Sequence, residues 1–196
     1  MIQIEGVKPA LEKLGIDIII QILSFVQPLD IIALRQVCRA LLAASRERVV
    51  WRNALRLVTV QHGLFAVTFP VGEMTIPQLQ RAATSPGRFV AFLRRELRPP
   101  KIRLPTKCIE PTSIRELPGN FENAFLVPGG RYILAMARKF KTIELWDIGF
   151  SANSVILSSP VTFERFKEYR VVIIDLQPIA AQNGLLVMVE VTPYNR

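Results

Sequence analysis

Histidine and cysteine are scarce in this chain of 196 residues: His62 stands alone, and the only thiols are Cys38 and Cys108. A zinc site usually draws three or four ligands from Cys, His and carboxylates, and no CxxC or HxxxH spacing exists to start one. A hydrolase using histidine as its base would have to use His62, which lies in Val60-Gln-His-Gly-Leu64 without a flanking motif. Two cysteines also exclude a disulfide framework. G-x-S-x-G, a P-loop and a recognisable pair of catalytic carboxylates are missing as well. The expectation is a chain with no metal, no cofactor and no catalysis of its own, although an active site can be assembled from dispersed residues. Long apolar runs are lacking too. The first, from Ile16 to Val26, is interrupted by Asp17 and Gln21 and falls short of the roughly 20 residues a bilayer span needs. With no secretory-type start and no Asn-x-Ser/Thr sequon, the expected setting is reducing, cytoplasmic or nuclear, and away from membranes.

What is present is apolar and basic. Hydrophobic residues make up 50% and charged residues 21%, enough for a sizeable core and too apolar for a disordered chain. The length suits one compact unit or two small ones. The net charge of +9 is unevenly spread. Residues 1–58 carry a net +3, residues 59–107 a net +6, and residues 108–196 balance. The middle zone holds Arg81, Arg88, Arg94, Arg95, Arg98, Lys101, Arg103 and Lys107 against Glu73 and Glu96. Such a stripe can meet a phosphate backbone or an acidic protein surface; a solvated helix face is the plainer account.

The first zone reads as helices with more apolar surface than they can bury. Ile18, Ile22 and Phe25/Val26 mark one helical face, and Ile19 with Leu23 marks the neighbouring one. Pro28 is expected to end this helix, and Asp30 to cap the next, whose apolar positions run through Ile31, Ile32, Leu34, Val37, Cys38, Leu41 and Leu42. The run from Asp30 to about Ser45 is one bent helix or two short ones, and Trp51, Leu55 and Val58 follow at helical spacing. A module of about 45 residues is below the size that usually closes its own core. The surplus faces either the rest of the chain or a partner, and periodicity does not choose between them.

The residues themselves carry a resemblance. Leu14-Gly-Ile-Asp-Ile-Ile-Ile-Gln-Ile-Leu-Ser-Phe-Val26, then Pro28-Leu-Asp-Ile-Ile-Ala-Leu-Arg-Gln-Val-Cys-Arg39, then Ser45 and Trp51-Arg52 resemble an F-box of the fungal type. Gly15 stands where that family usually has proline. The resemblance implies a non-catalytic substrate-receptor subunit of an SCF-type ubiquitin ligase. It would bind a Skp-type adaptor, and through it the cullin assembly, to bring in a protein substrate. The positions matching adaptor-facing residues are Leu14, Ile18, Ile22, Leu23, Pro28, Leu29, Ile32, Leu34, Val37 and Cys38. A basic nucleic-acid-associated or general interaction module, using Arg88, Arg94, Arg95, Arg98, Lys101 and Arg103, is the alternative.

In the middle zone Pro70, Pro77 and Pro86 break residues 59–87 into short pieces. After Thr84-Ser-Pro-Gly87, an amphipathic helix is expected from Arg88 to Leu97. Its apolar face would be Phe89, Val90, Phe92, Leu93 and Leu97, packed on its neighbours, with the arginines opposite and Pro99-Pro100 ending it.

Beyond residue 108 the pattern turns to strands. Ala124 to Val127, a Pro128-Gly-Gly turn, Arg131 to Arg138, a second turn at 139–141 and an alternating Thr142 to Asp147 read as three strands. This stretch, ending in Leu145-Trp-Asp147, resembles a WD-type β-propeller blade. Further strand-like pieces lie at Ser154 to Leu157, Tyr169 to Leu176 and Leu185 to Val191. Blades run roughly 40 to 45 residues and close in sets of about four to eight, so residues 120–196 hold less than two. The front end of a longer protein, a shortened product and a small open sheet all fit. The expected fold is therefore α+β: a helical module at 14–58, a basic linker with a helix at 59–107, and an antiparallel β region resembling one to two incomplete blades at 108–196.

Overall fold

The computed structural model describes residues 14–96, 121–137, 141–150, 160–166, 169–179 and 184–193. They form two units. One is helical and built from residues up to 58 together with those from 71 to 96; the other joins 59–70 to the strands. The middle zone is thus shared between the two rather than standing as a linker of its own.

The helical unit begins with α1 (Ile16–Leu23), α2 (Pro28–Leu34) and α3 (Arg39–Ala44). Two short helices, not one bent one, occupy the Asp30–Ser45 run. Pro28 opens α2 at its first position and does not merely end α1. Proline needs no N–H there and its φ is already helical. Gln27 therefore takes the cap position expected of Asp30, which falls in the first turn, where its charge suits the helix dipole. α4 (Arg48–Gln61) carries the core. Trp51, Leu55 and Val58 are buried along it, and Trp51 Nε1 donates 2.8 Å to the Ser45 carbonyl. Arg35 lies over the Trp51 ring at 5.5 Å. Arg48 donates to the carbonyls of Met74, Val71 (2.6 Å) and Gly72 (3.1 Å), holding the turn that precedes the last helix.

That last helix, α5 (Ile76–Glu96), is longer than its prolines suggest. Thr75 N–H donates 2.7 Å to the Gln78 side-chain oxygen, half of a capping box. Pro86 sits inside the helix, so the break expected before Arg88 does not occur. The ring removes one i→i−4 bond, and the adjoining Gly87 lets Leu29 of α2 close in: a Cβ there would lie 2.7 Å from Leu29 Cδ1. Leu79, Ala83 and Thr84 are the buried positions of α5. Phe89 and Val90, expected to pack inward, are 58% and 43% exposed.

In the second unit β1 (Phe121–Leu126), β2 (Tyr132–Ala137), β3 (Thr142–Asp147) and β4 (Thr162–Arg165) form one sheet in sequence order, antiparallel throughout. β5 (Tyr169–Pro178) and β6 (Leu185–Pro193) pair as a separate hairpin. The strand-like piece at Ser154 to Leu157 lies outside the described residues, as do residues 138–140 of the second turn. Leu134, Met136 and Ile143 of the sheet share a core with Val171 and Ile173 of the hairpin. Val60 to Phe69 contributes a short 3-10 turn, Ala66–Thr68. Phe65 meets Tyr132 edge to face, with centroids 5.7 Å apart.

Candidate docking surface

α1 divides its apolar residues cleanly. Ile19 and Leu23, one turn apart, are buried and Ile20 is half-buried, while Ile16, Ile18 and Ile22, with Phe25 in the turn just past the helix, are exposed. Both sets are aliphatic or aromatic, so solvent preference did not sort them; the inward pair joins Ile31, Leu41, Trp51 and Leu55 among the buried side chains of the unit. The remainder faces outward. Ser24 Oγ donates to the Ile20 carbonyl at 3.0 Å and accepts from Asn53 Nδ2 at 3.1 Å, which fixes the end of α1 against α4. That anchoring sets which face of α1 points to solvent.

Of the ten residues matched to adaptor-facing positions, Leu14, Ile18, Ile22, Leu29 and Val37 are exposed. Ile32, Leu34 and Cys38 are half-buried. Leu23 and Pro28 turn inward and belong to the core of the unit, so any contact they make with a partner is indirect. Two residues outside that set add to the surface: Ile16 and, at 82% exposure, Phe25. Their signal was present in the sequence as an apolar arc too wide for a surface helix. Val37 is 65% exposed in the turn between α2 and α3. Between Leu14 and Val37 seven large apolar side chains are exposed, the kind of surface a protein partner can cover.

Residues 16–56 match the family model described as F-box-like. The chain thus carries an F-box-like domain, a protein-interaction module, and the match spans α1 to the middle of α4. No curated protein matches the chain, and no solved structure does. Of the alternative basic set, Arg98, Lys101 and Arg103 lie outside the described residues, and Arg88, Arg94 and Arg95 are exposed on α5 beyond the F-box-like domain.

The strand unit offers one well-built polar site. Arg131, after the Pro128-Gly-Gly turn, donates to the Asp147 carboxylate from Nε at 3.0 and 3.1 Å and from Nη2 at 2.7 Å. Asp147 also accepts the Gly149 N–H at 2.9 Å. The Arg131 hydrogen bonds, helped by Gly149, hold the Asp147 carboxyl below its ordinary pKa against the opposing effect of burial. Burial pushes the neighbouring Tyr132 hydroxyl up. A bidentate arginine locks the start of β2 to the end of β3. The pair braces the sheet. Among the described residues no three His, Cys, Asp or Glu side chains gather as metal ligands would. No helix among them is long and apolar enough to cross a membrane.

Proposed function

We propose that this chain is a non-catalytic substrate receptor of an SCF-type ubiquitin ligase, of the fungal type. The F-box-like domain would dock on a Skp-type adaptor through Leu14, Ile18, Ile22, Phe25, Leu29 and Val37. The observation that carries this reading is the exposed apolar row on α1 beside a filled core. An apolar helix face at i, i+4 and i+7 spacing is what a hydrophobic groove accepts.

The strand unit would present the substrate. Its four-stranded antiparallel meander, with a Pro-Gly-Gly turn before β2 and Trp146-Asp147 closing β3, supports a propeller-blade-like sheet in that role. The cytoplasm or nucleus is the setting such a ligase requires.

Pull-down of a purified Skp-type adaptor with Ile22→Asp and Val37→Asp beside the unmodified chain tests the docking. Val37 is the more exposed of the two, and circular dichroism of both variants separates a lost interaction from a lost fold. The unmodified chain should retain the adaptor and both variants should release it. An unmodified chain that does not bind, or variants that bind as well as it does, would overturn the proposal.

A further inference from the structure

α5 extends well past the F-box-like domain, and its outward side is organised. Arg81, Arg88 and Arg95 recur every seven residues and all three are exposed. Seven residues are about two turns and roughly 10.5 Å of rise, so the three lie in a nearly straight row about 21 Å long. Leu79 and Ala83 are buried on the other side, and Thr84, one turn from both Arg81 and Arg88, is buried along the edge of the row. Phe89 stands exposed beside the row, and Phe92 lies within it, its ring 6.0 Å from the Arg95 guanidinium. Charge balance points the same way. The described part of the helical unit holds ten arginines and five carboxylates, and no lysine.

We propose that this outer face of α5 is a docking strip for an acidic amphipathic helix of a partner protein. A helix with glutamates at heptad spacing repeats its charges at the same interval as the arginines. Helices packed side by side keep such rows in register. Arginine rather than lysine suits this use, because its planar fork pairs a carboxylate bidentately. Phe89 supplies the apolar contact an amphipathic helix needs and a phosphate backbone would leave in water. A single-stranded nucleic acid is disfavoured because it needs successive free aromatic faces, and the Arg95 guanidinium lies over Phe92. The strip lies outside residues 16–56, so it does not depend on the adaptor reading.

The test uses the full chain and three probes read by fluorescence anisotropy. The first is a designed 21-residue helical peptide with Glu at every seventh position and Leu on the adjoining face. The second has the same composition with the register scrambled, and the third is a single-stranded oligonucleotide of similar length. The in-register peptide should bind more tightly than either, and weaken several-fold between low and moderate salt. Replacing Arg81, Arg88 and Arg95 together by Gln should weaken it by about tenfold, three surface pairs acting in concert. Phe89→Ser should weaken it independently of salt. All four positions are solvent-facing, so circular dichroism and tryptophan emission should not change. Absent binding, equal binding of the scrambled peptide, indifference to the triple variant, or tighter binding of the oligonucleotide through the same arginines would each overturn the assignment.

Discussion

Ile22 and Leu23 are adjacent in sequence and opposite in fate, at 42% and 1% exposure, and so form a controlled pair. Leu23→Ala empties a packed site and should cost about 2–5 kcal/mol. A helical unit of about 70 described residues has some 4–10 kcal/mol in total, at the usual stability per residue. That substitution therefore removes a large share of the fold. Ile22→Ala should cost under about 1.5 kcal/mol, because alanine's better helix propensity offsets part of the lost contact. Its effect belongs to binding. Full burial of an isoleucine is worth about 1.5–3 kcal/mol, so the exposed 42% leaves about 0.6–1.3 kcal/mol for a partner to gain. That is roughly 3- to 9-fold in Kd. Stability would be read by urea unfolding of a Trp146→Phe background, where Trp51 alone reports on the helical unit. Affinity would be read by calorimetric titration with the adaptor. If Ile22→Ala destabilises as much as Leu23→Ala, or leaves adaptor affinity untouched, the division of α1 into a core face and a docking face is wrong.

The remaining predictions concern the internal supports of each unit. Gly129 has φ +116°, and a Cβ there would sit 2.5–2.9 Å from the fully buried Thr68 side chain. Gly129→Ala should therefore destabilise the strand unit by about 2–5 kcal/mol, strain and overpacking together, visible in Trp146 fluorescence of a Trp51→Phe background. The lowered pKa of Asp147 means its contribution is present above the unfolded carboxyl pKa of about 3.9 and fades as pH falls through and below it. Asp147→Asn should lower stability at pH 7 and flatten the acid limb between about pH 5 and 2, measured by denaturant titration across that range. Trp51→Phe removes the donor to the Ser45 carbonyl and shrinks a fully buried ring. It should cost about 1–3 kcal/mol, checked by thermal melting, without touching adaptor contacts directly.

How legible the fold was in the residues differs by element. α1 could be read in detail: its two apolar faces were separable by helical spacing, and the structure buries one and exposes the other. Which face went inward was not readable, because isoleucine and leucine occupy both. Proline departs from a helix stop twice, by different routes. Pro28 and Pro86 were both read as stops, yet the first opens α2 and the second lies within α5. At the first helical position Pro28 loses no hydrogen bond, whereas Pro86 excludes one within α5, where Leu29 of α2 packs close to the adjoining Gly87, a neighbour that a local pattern does not contain. β4 escaped notice because Thr162-Phe-Glu-Arg165 is only four residues long. Its strand character comes from pairing with β3.

The α5 helix shows the same limit from the functional side. Grouped by polarity, Phe89 and Val90 looked like the inner face and the arginines like the solvated one. Burial instead follows Leu79 and Ala83, near the start of the helix, and the later turns run on with apolar and basic residues both in water. Amphipathicity alone names two faces without saying that either is covered. The exposed face of α1 and the arginine row of α5 then pose a common physical question, whether a chain would keep exposed apolar and cationic surface for no partner. Apolar surface left in water forgoes hydrophobic stabilisation, and like charges on one helix repel. The helical unit bears both: an apolar face on α1, and on α5 an arginine row beside the exposed Phe89 and Val90. Two docking surfaces with separable determinants account for that arrangement: substitutions on α1 should spare peptide binding at α5, and arginine replacements on α5 should spare the adaptor.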